Sequence, residues 1–200
     1  MEFFAEVEGR TYHRCRDCFL TFLDAGQLPS LAEERAEYEL HRNDPADPRY
    51  RAFLDRLAAP LCEGLAAGAS GLDFGCGPGP ALSVMLRERG YKMRDYDPLY
   101  RPDPEALADS YDFITCTEVV EHLHHPREVF ARLDALLKPG GRLGLMTRLL
   151  RDDNGFADWY YRRPPSHVIF LREETIIWIA GARDWQLQSV GDQTAIFLKR

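Results

Sequence analysis

The sequence predicts an α/β fold built on a mostly parallel sheet, and three observations carry that reading. Strand-like and helix-like segments alternate from about residue 70 to the C-terminus. The first of those strands, Leu72-Asp73-Phe74, runs into Gly75, Gly77 and Gly79, where the backbone can turn sharply and a ligand can approach with no Cβ in the way. Residues 185–190 and 194–198 flank Gly191-Asp192 and pair as a terminal antiparallel hairpin.

Each element has its own signal. Residues 1–30 form an aromatic-rich start containing Cys15-Arg16-Asp17-Cys18. Ser30-Leu31-Ala32-Glu33 is a capping box, in which hydroxyl and carboxylate each satisfy an orphan N–H. The helix it opens runs through Glu34, Ala36 and Tyr38 and stops near Asn43-Asp44-Pro45. A second helix begins at Asp47-Pro48, with Tyr50, Phe53, Leu54, Leu57 and Leu61 on one face. Beyond the glycine-ended strand, Leu82, Met85 and Leu86 mark a helix that ends at Gly90, and residues 92–96 form the next strand. Residues 99–109 hold two prolines and little β character, so the third strand is short or missing. Residues 111–115 are a strand. Pro126 opens a helix with an apolar stripe of Val129, Phe130, Leu133, Leu136 and Leu137, and residues 142–146 form the strand after it. The polar segment 152–166 reads as a long loop or lid, followed by a helix over 172–181. The chain divides into an N-terminal extension, 1–44, and a main domain, 45–200.

Composition excludes several classes. A net charge of −7 does not suit broad nucleic-acid binding, which needs many cations to displace counterions. No apolar run approaches the ~20 residues that span a bilayer. Met1-Glu2-Phe3-Phe4 lacks the basic start of a secretory leader, and five cysteines do not make a disulfide framework. Reduced thiols in the cytoplasm are the expectation.

Asp73 lies inside the first strand, where a hydride-transfer nucleotide site carries an apolar residue, and favours a ligand with a positively charged end. Asp97 closes the next strand, placed to accept two ribose hydroxyls; Asp95 competes for that role, but only Asp97 stands at the strand's end. With residues 111–118 and Leu137-Lys138-Pro139-Gly140-Gly141, this set resembles the class I S-adenosylmethionine-dependent methyltransferases over roughly residues 45–200.

The resemblance implies a Rossmann-like, seven-stranded sheet with helices on both faces, and S-adenosylmethionine as cofactor. Asp73, Gly75, Cys76 and Gly77 would border the methionine part and ribose, Asp97 would bind the ribose, and Pro98 and Leu99 would flank the adenine. Cys116 and Thr117 would lie near the sulfonium. The third-strand acid that contacts the adenine amine in many relatives has no counterpart. A NAD-dependent oxidoreductase would need glycine at position 80, which is Pro80.

Glu118, Glu121 and His122 fall at i, i+3 and i+4, one face of a helical turn. In ubiquinone-pathway and small-RNA methyltransferases that pattern binds a divalent metal, with a further histidine in the RNA enzymes that His167 could match. In metal-free relatives these side chains merely orient the turn, and that is the favoured reading. His122, His167 and Glu118 are the candidate catalytic bases for an alcohol or phenol acceptor. His124 and His125 read as helix-entry residues. Residues 159–170 resemble the aromatic, arginine-rich lid of a small bacterial subgroup. Arg148, Arg151, Arg162 and Arg163 are expected to wall a site for an anionic or aromatic small molecule. Cys15 and Cys18 form half of a zinc site; His13 and His41 could contribute, but a remnant without metal is the expectation. The expected activity is methyl transfer to a small molecule, O- before N-methylation. A non-catalytic scaffold that acts through its N-terminal knuckle is the alternative.

Overall fold

A computed structural model of the chain describes residues 1–39 and 43–200. Its main sheet has six strands in the order β5-β4-β6-β7-β10-β9. These are β4 (Ser70–Phe74), β5 (Lys92–Tyr96), β6 (Tyr111–Thr117), β7 (Leu137–Met146), β9 (Trp185–Val190) and β10 (Thr194–Lys199). The first four in that order are parallel, and β10 runs antiparallel to both β7 and β9. No strand forms over 97–110, so the slot for a third strand is missing, as the prolines there predict.

Residues alternate along each strand between two cores. On one face, Phe113, Met146 and Ile196 meet Leu54, Leu57 and Leu61 of α2 (Pro48–Cys62) and Leu82 and Leu86 of α3 (Ala81–Glu88). On the other, Ile114, Cys116, Leu145 and Phe197 meet Phe130 and Leu133 of α4 (Pro126–Leu136) and Ile176 and Ile179 of α5 (Glu173–Ala182). Pro48 and Pro126 stand in the first turns of their helices, where a missing N–H costs nothing. The capping box forms at α1 (Leu31–Tyr38), with the Ser30 N–H on Glu33 at 2.8 Å. The expected end of this helix, near Asn43, lies partly outside the described residues.

A second sheet, β1-β2-β3-β8, is antiparallel. It joins β1 (Glu2–Val7), β2 (Arg10–Arg14) and β3 (Thr21–Leu23) to β8 (Ile169–Phe170), from the far end of the chain. The segment expected to be a long polar loop or lid is a loop with one 3-10 turn, largely exposed, that anchors four buried side chains against this sheet. Phe156, Tyr161, Arg162 and Ser166 are buried, and Phe156 stacks edge-on against Tyr12 and Phe170 at 4.9 and 5.4 Å.

Candidate functional site

The chain leaves β4 for β5 on one side and returns to β6 on the other, which makes a topological switch point at the carboxyl ends of β4 and β6. A cavity of about 700 Å³ opens there. Asp73, Gly75, Cys76, Gly77, Asp97, Pro98, Leu99, Thr117, Glu118, Glu121, His122 and His167 all line it. Residues from four separate stretches of sequence therefore meet in one crevice.

The glycine loop is shaped by close approach. Gly75 has φ +78°, and a Cβ there would collide with Val119. A Cβ on Gly79 would strike the Asn43 carbonyl, which rests on the loop. Asp97 organises the other wall. Its Oδ2 accepts the Gly77 N–H at 3.1 Å, and its Oδ1 accepts those of Leu99 and Tyr100 at 2.8 and 3.0 Å. The carboxylate thus ties the β5 turn to the glycine loop. Asp73 is 4% exposed, and its Oδ1 accepts the Thr115 hydroxyl at 2.8 Å. Burial pushes its carboxyl up to about 7. Cys116 is a correction: its side chain is enclosed in the core behind β6 and lines no part of the cavity.

The other end of the cavity holds the acids and histidines. Glu118 has φ +52°, a strained conformation for a non-glycine residue, held by its N–H on the Met146 carbonyl at 2.8 Å. That backbone bend takes Glu118 off the helical face expected to carry it with Glu121 and His122. The two carboxylates meet instead through the Tyr161 hydroxyl, 2.6 Å from Glu121 Oε1 and 3.2 Å from Glu118 Oε2. Burial raises both carboxyls above the ordinary range, Glu118 further through the charge of Glu121. Donor atoms of Glu121, His122 and His167 all lie within 4.8 Å of one another, and Glu118 stands outside that group. The Nδ1 of His122 faces the Ser166 carbonyl at 3.0 Å, and that of His167 faces the Tyr161 carbonyl at 2.6 Å. A carbonyl can only accept, so each Nδ1 carries a hydrogen, and in the neutral rings the lone pair is on Nε2. Tyr161→Phe is expected to lower stability by about 1.5–3 kcal/mol, because it removes a buried hydroxyl whose single hydrogen serves one of the two carboxyl groups at a time, Glu121 being the nearer. A urea midpoint unchanged from the wild type would refute this role.

The arginine wall is a second correction. Arg151 pairs with Glu173 at 2.6 Å and Asp192 at 3.3 Å, and Arg148 lies over the Tyr160 ring at 5.3 Å. Arg162 is 2% exposed and reaches Glu8 at 2.9 Å. None of these lines the cavity, since acids and a ring hold the heads of Arg148, Arg151 and Arg162, and Arg163 is exposed and does not line it either. The lining arginine is Arg132 of α4. Glu34, Tyr38, Tyr50 and Phe53 also line it and were not anticipated. Their sequence signal was only helical spacing, and α1 and α2 carry them over the crevice. His125 does occupy the helix entry, while His124 pairs with Glu34 at 3.0 Å.

Cys15 and Cys18 are free and half-buried, and His13 is paired with Asp24 at 2.9 Å. His41 lies outside the described residues. Among the described residues, no third metal-binding side chain converges on the two cysteines, and no helix is long and apolar enough to cross a membrane.

A doubly wound sheet with an acid-flanked glycine loop at its switch point defines a nucleotide-binding α/β protein. The family model of the methyltransferase domain matches residues 40–190, and the chain belongs to that family. Its fold is that of the class I S-adenosylmethionine-dependent methyltransferases. The chain is similar to the 1,6-didemethyltoxoflavin-N1-methyltransferase of Burkholderia thailandensis, crystallised with 1,6-didemethyltoxoflavin and S-adenosylhomocysteine. That likeness has 17% identity and a TM-score of 0.57 and covers 100% of this chain and 99% of the other. A magnesium protoporphyrin IX methyltransferase from Synechocystis PCC 6803 with bound S-adenosylmethionine aligns with a TM-score of 0.53 and 17% identity, over 88% and 92% of the two chains. Among curated proteins, the ubiquinone biosynthesis O-methyltransferase of Marinobacter nauticus is 35% identical over 94 residues, 44% of this chain and 39% of that one. The counterpart from Aeromonas salmonicida is 28% identical over 81 residues, 40% and 34% of the two chains. The matches thus span little more than a third of the length of these curated relatives.

Proposed function

We propose that the protein transfers the methyl group of S-adenosylmethionine to a hydroxyl of a small aromatic acceptor. One observation carries this reading: a single cavity has the Asp73 and Asp97 crevice at one end and Glu118, Glu121, His122 and His167 at the other. In this reading Asp97 would bind the ribose hydroxyls and Asp73 the ammonium end of the cofactor. When bound, S-adenosylmethionine would supply a methyl carbon on a positively charged sulfur, and its transfer to the acceptor oxygen would leave the thioether S-adenosylhomocysteine. The hydroxyl proton passes to Nε2 of His122 or His167. Alignment and exclusion of water are the protein's main contribution, since the cofactor carries the reactive methyl.

One arginine, Arg132, and no lysine stand among the lining residues, which does not suit the anionic acceptor that an arginine wall would have suited. Tyr38, Tyr50 and Phe53 supply its aromatic surface.

A second reading has its own observation. Oε2 of Glu121 is buried with no hydrogen-bond partner among the described residues, and a carboxylate oxygen of Glu121 stands in the group with His122 and His167. Two imidazoles oriented by carbonyls beside a buried carboxylate fit a divalent cation. Glu121, His122 and His167 would hold such an ion, which when bound would lower the pKa of an acceptor hydroxyl. Calorimetry with S-adenosylhomocysteine tests the cofactor site, and the absence of binding heat across a range of temperatures would reject it. Methyl transfer to a panel of catechols and phenols, with and without a chelator, then separates the two readings. Activity that survives the chelator leaves the imidazoles as bases.

A further inference from the structure

We propose that Arg10, on the N-terminal sheet and outside the cavity, is a positioning residue that sets where His167 and His122 stand. The inference rests on the methyltransferase reading above, in which those two rings serve the reaction. The Arg10 guanidinium gathers the carbonyls of residues 162–167. Nη1 donates to Arg162 O at 3.2 Å and Pro164 O at 3.5 Å, and Nη2 to Pro165 O and His167 O, each at 3.2 Å. Converging carbonyl dipoles repel one another, and a planar cation with several fixed donors offsets that repulsion where lysine's single nitrogen cannot span them.

The gathered segment is the one that touches the site. Ser166 O accepts the Nδ1–H of His122, and the Tyr161 carbonyl just before the segment accepts that of His167. The Val168 N–H donates to Glu121 O at 2.8 Å, and the Ser166 N–H to Glu37 of α1 at 3.0 Å. The N-terminal sheet grips the same stretch from other directions. The Leu23 N–H donates to Val168 O at 2.8 Å, β3 pairs with β8, and Arg162 reaches back to Glu8 in the turn before Arg10. Arg10 and Arg162 thus cross between the two layers in opposite directions. The first residues of the chain hold the backbone that tells each imidazole which nitrogen carries the proton.

The test uses the full chain with Arg10→Ala and Arg10→Lys. Long-range ¹H–¹⁵N spectra report the protonation of each ring nitrogen, and calorimetry with S-adenosylhomocysteine reports the cofactor site. In Arg10→Ala, cofactor affinity is expected to stay at the wild-type value. The His122 and His167 nitrogen resonances are expected to move from separated values, with hydrogen on Nδ1, toward a tautomer average. Ethylguanidinium in millimolar amounts should restore them. Arg10→Lys, which keeps the charge and covers Arg10→Ala should that variant fail to fold, is expected to shift the same resonances part of the way. Wild-type resonances in whichever variant folds would overturn the proposal and leave Arg10 as a strap between layers. A wild-type protein that binds no S-adenosylhomocysteine, yet shows these Arg10-dependent shifts, would instead sink the methyltransferase reading alone.

Discussion

Asp97→Ala is expected to weaken S-adenosylhomocysteine binding at least about 100-fold, near 3 kcal/mol, while the protein stays folded. Two losses add. In the proposed binding mode the ribose hydroxyls would lose their acceptor, and the Gly77, Leu99 and Tyr100 N–H groups lose theirs. Hydrogen bonds to a charged acceptor are worth about 1.5–3 kcal/mol each, so the crevice walls should loosen before any ligand arrives. Asp97→Asn separates the two effects. Its carbonyl oxygen can still accept from Leu99 and Tyr100, but its NH₂ then opposes the Gly77 N–H. It should therefore keep the turn and lose the link to the glycine loop, with affinity between that of the alanine variant and the wild type. Calorimetry reads all three proteins. An alanine variant that binds within about threefold of the wild type would show that Asp97 is only a turn former.

The same residue shows why so much of the site was legible. Parallel strands with crossover helices order themselves by local periodicity, so residues at successive strand ends must meet at one sheet edge. Asp73, Gly75 and Asp97 needed no knowledge of distant contacts to be placed there, and Thr117 came through the family resemblance. Cys116 failed by one position, because side chains alternate across a strand and its neighbour Thr117 faces the cavity instead.

Long-range pairing was the part the pattern could not carry. β8 is two residues long and exists only because β3, some 150 residues earlier, supplies its partner. The polarity of 152–166 predicts a long loop or lid, but composition does not say that Arg162 will find Glu8 or that Phe156 will meet Tyr12. Glu118 failed for a different reason. Spacing assumes a regular helical turn, and the positive φ at that residue breaks it. The consequence is chemical: Tyr161, read at first as one aromatic among several, is the link between the two carboxylates.

Asp73→Asn is expected to make the cofactor-free protein more stable and the cofactor site weaker. Asp73 is buried at the end of β4, and burial raises its carboxyl from an ordinary 3.8 to about 7. Between those values the native state holds a proton that the unfolded chain has released. The contribution of this group to stability is therefore most favourable below about pH 4, falls as pH rises toward 7, and is level above that. About three pKa units correspond to roughly 4 kcal/mol lost across the window, as an upper figure. The amide has no such cost, and its oxygen can keep the Thr115 hydroxyl bond. Urea unfolding without cofactor should show a gain of about 2–4 kcal/mol near pH 8 and none near pH 4. With S-adenosylhomocysteine the order reverses, because the ammonium end of the ligand stabilises the ionised carboxylate. Binding near pH 7 should release up to about half a proton from this group in the wild type, seen as a dependence of the calorimetric heat on the buffer, and none from it in Asp73→Asn. The affinity of the variant should fall at least about tenfold, about 1.4 kcal/mol. Equal stability at both pH values would show that Asp73 is ionised at no cost in the empty protein. Equal affinity would show that the ammonium group is held elsewhere.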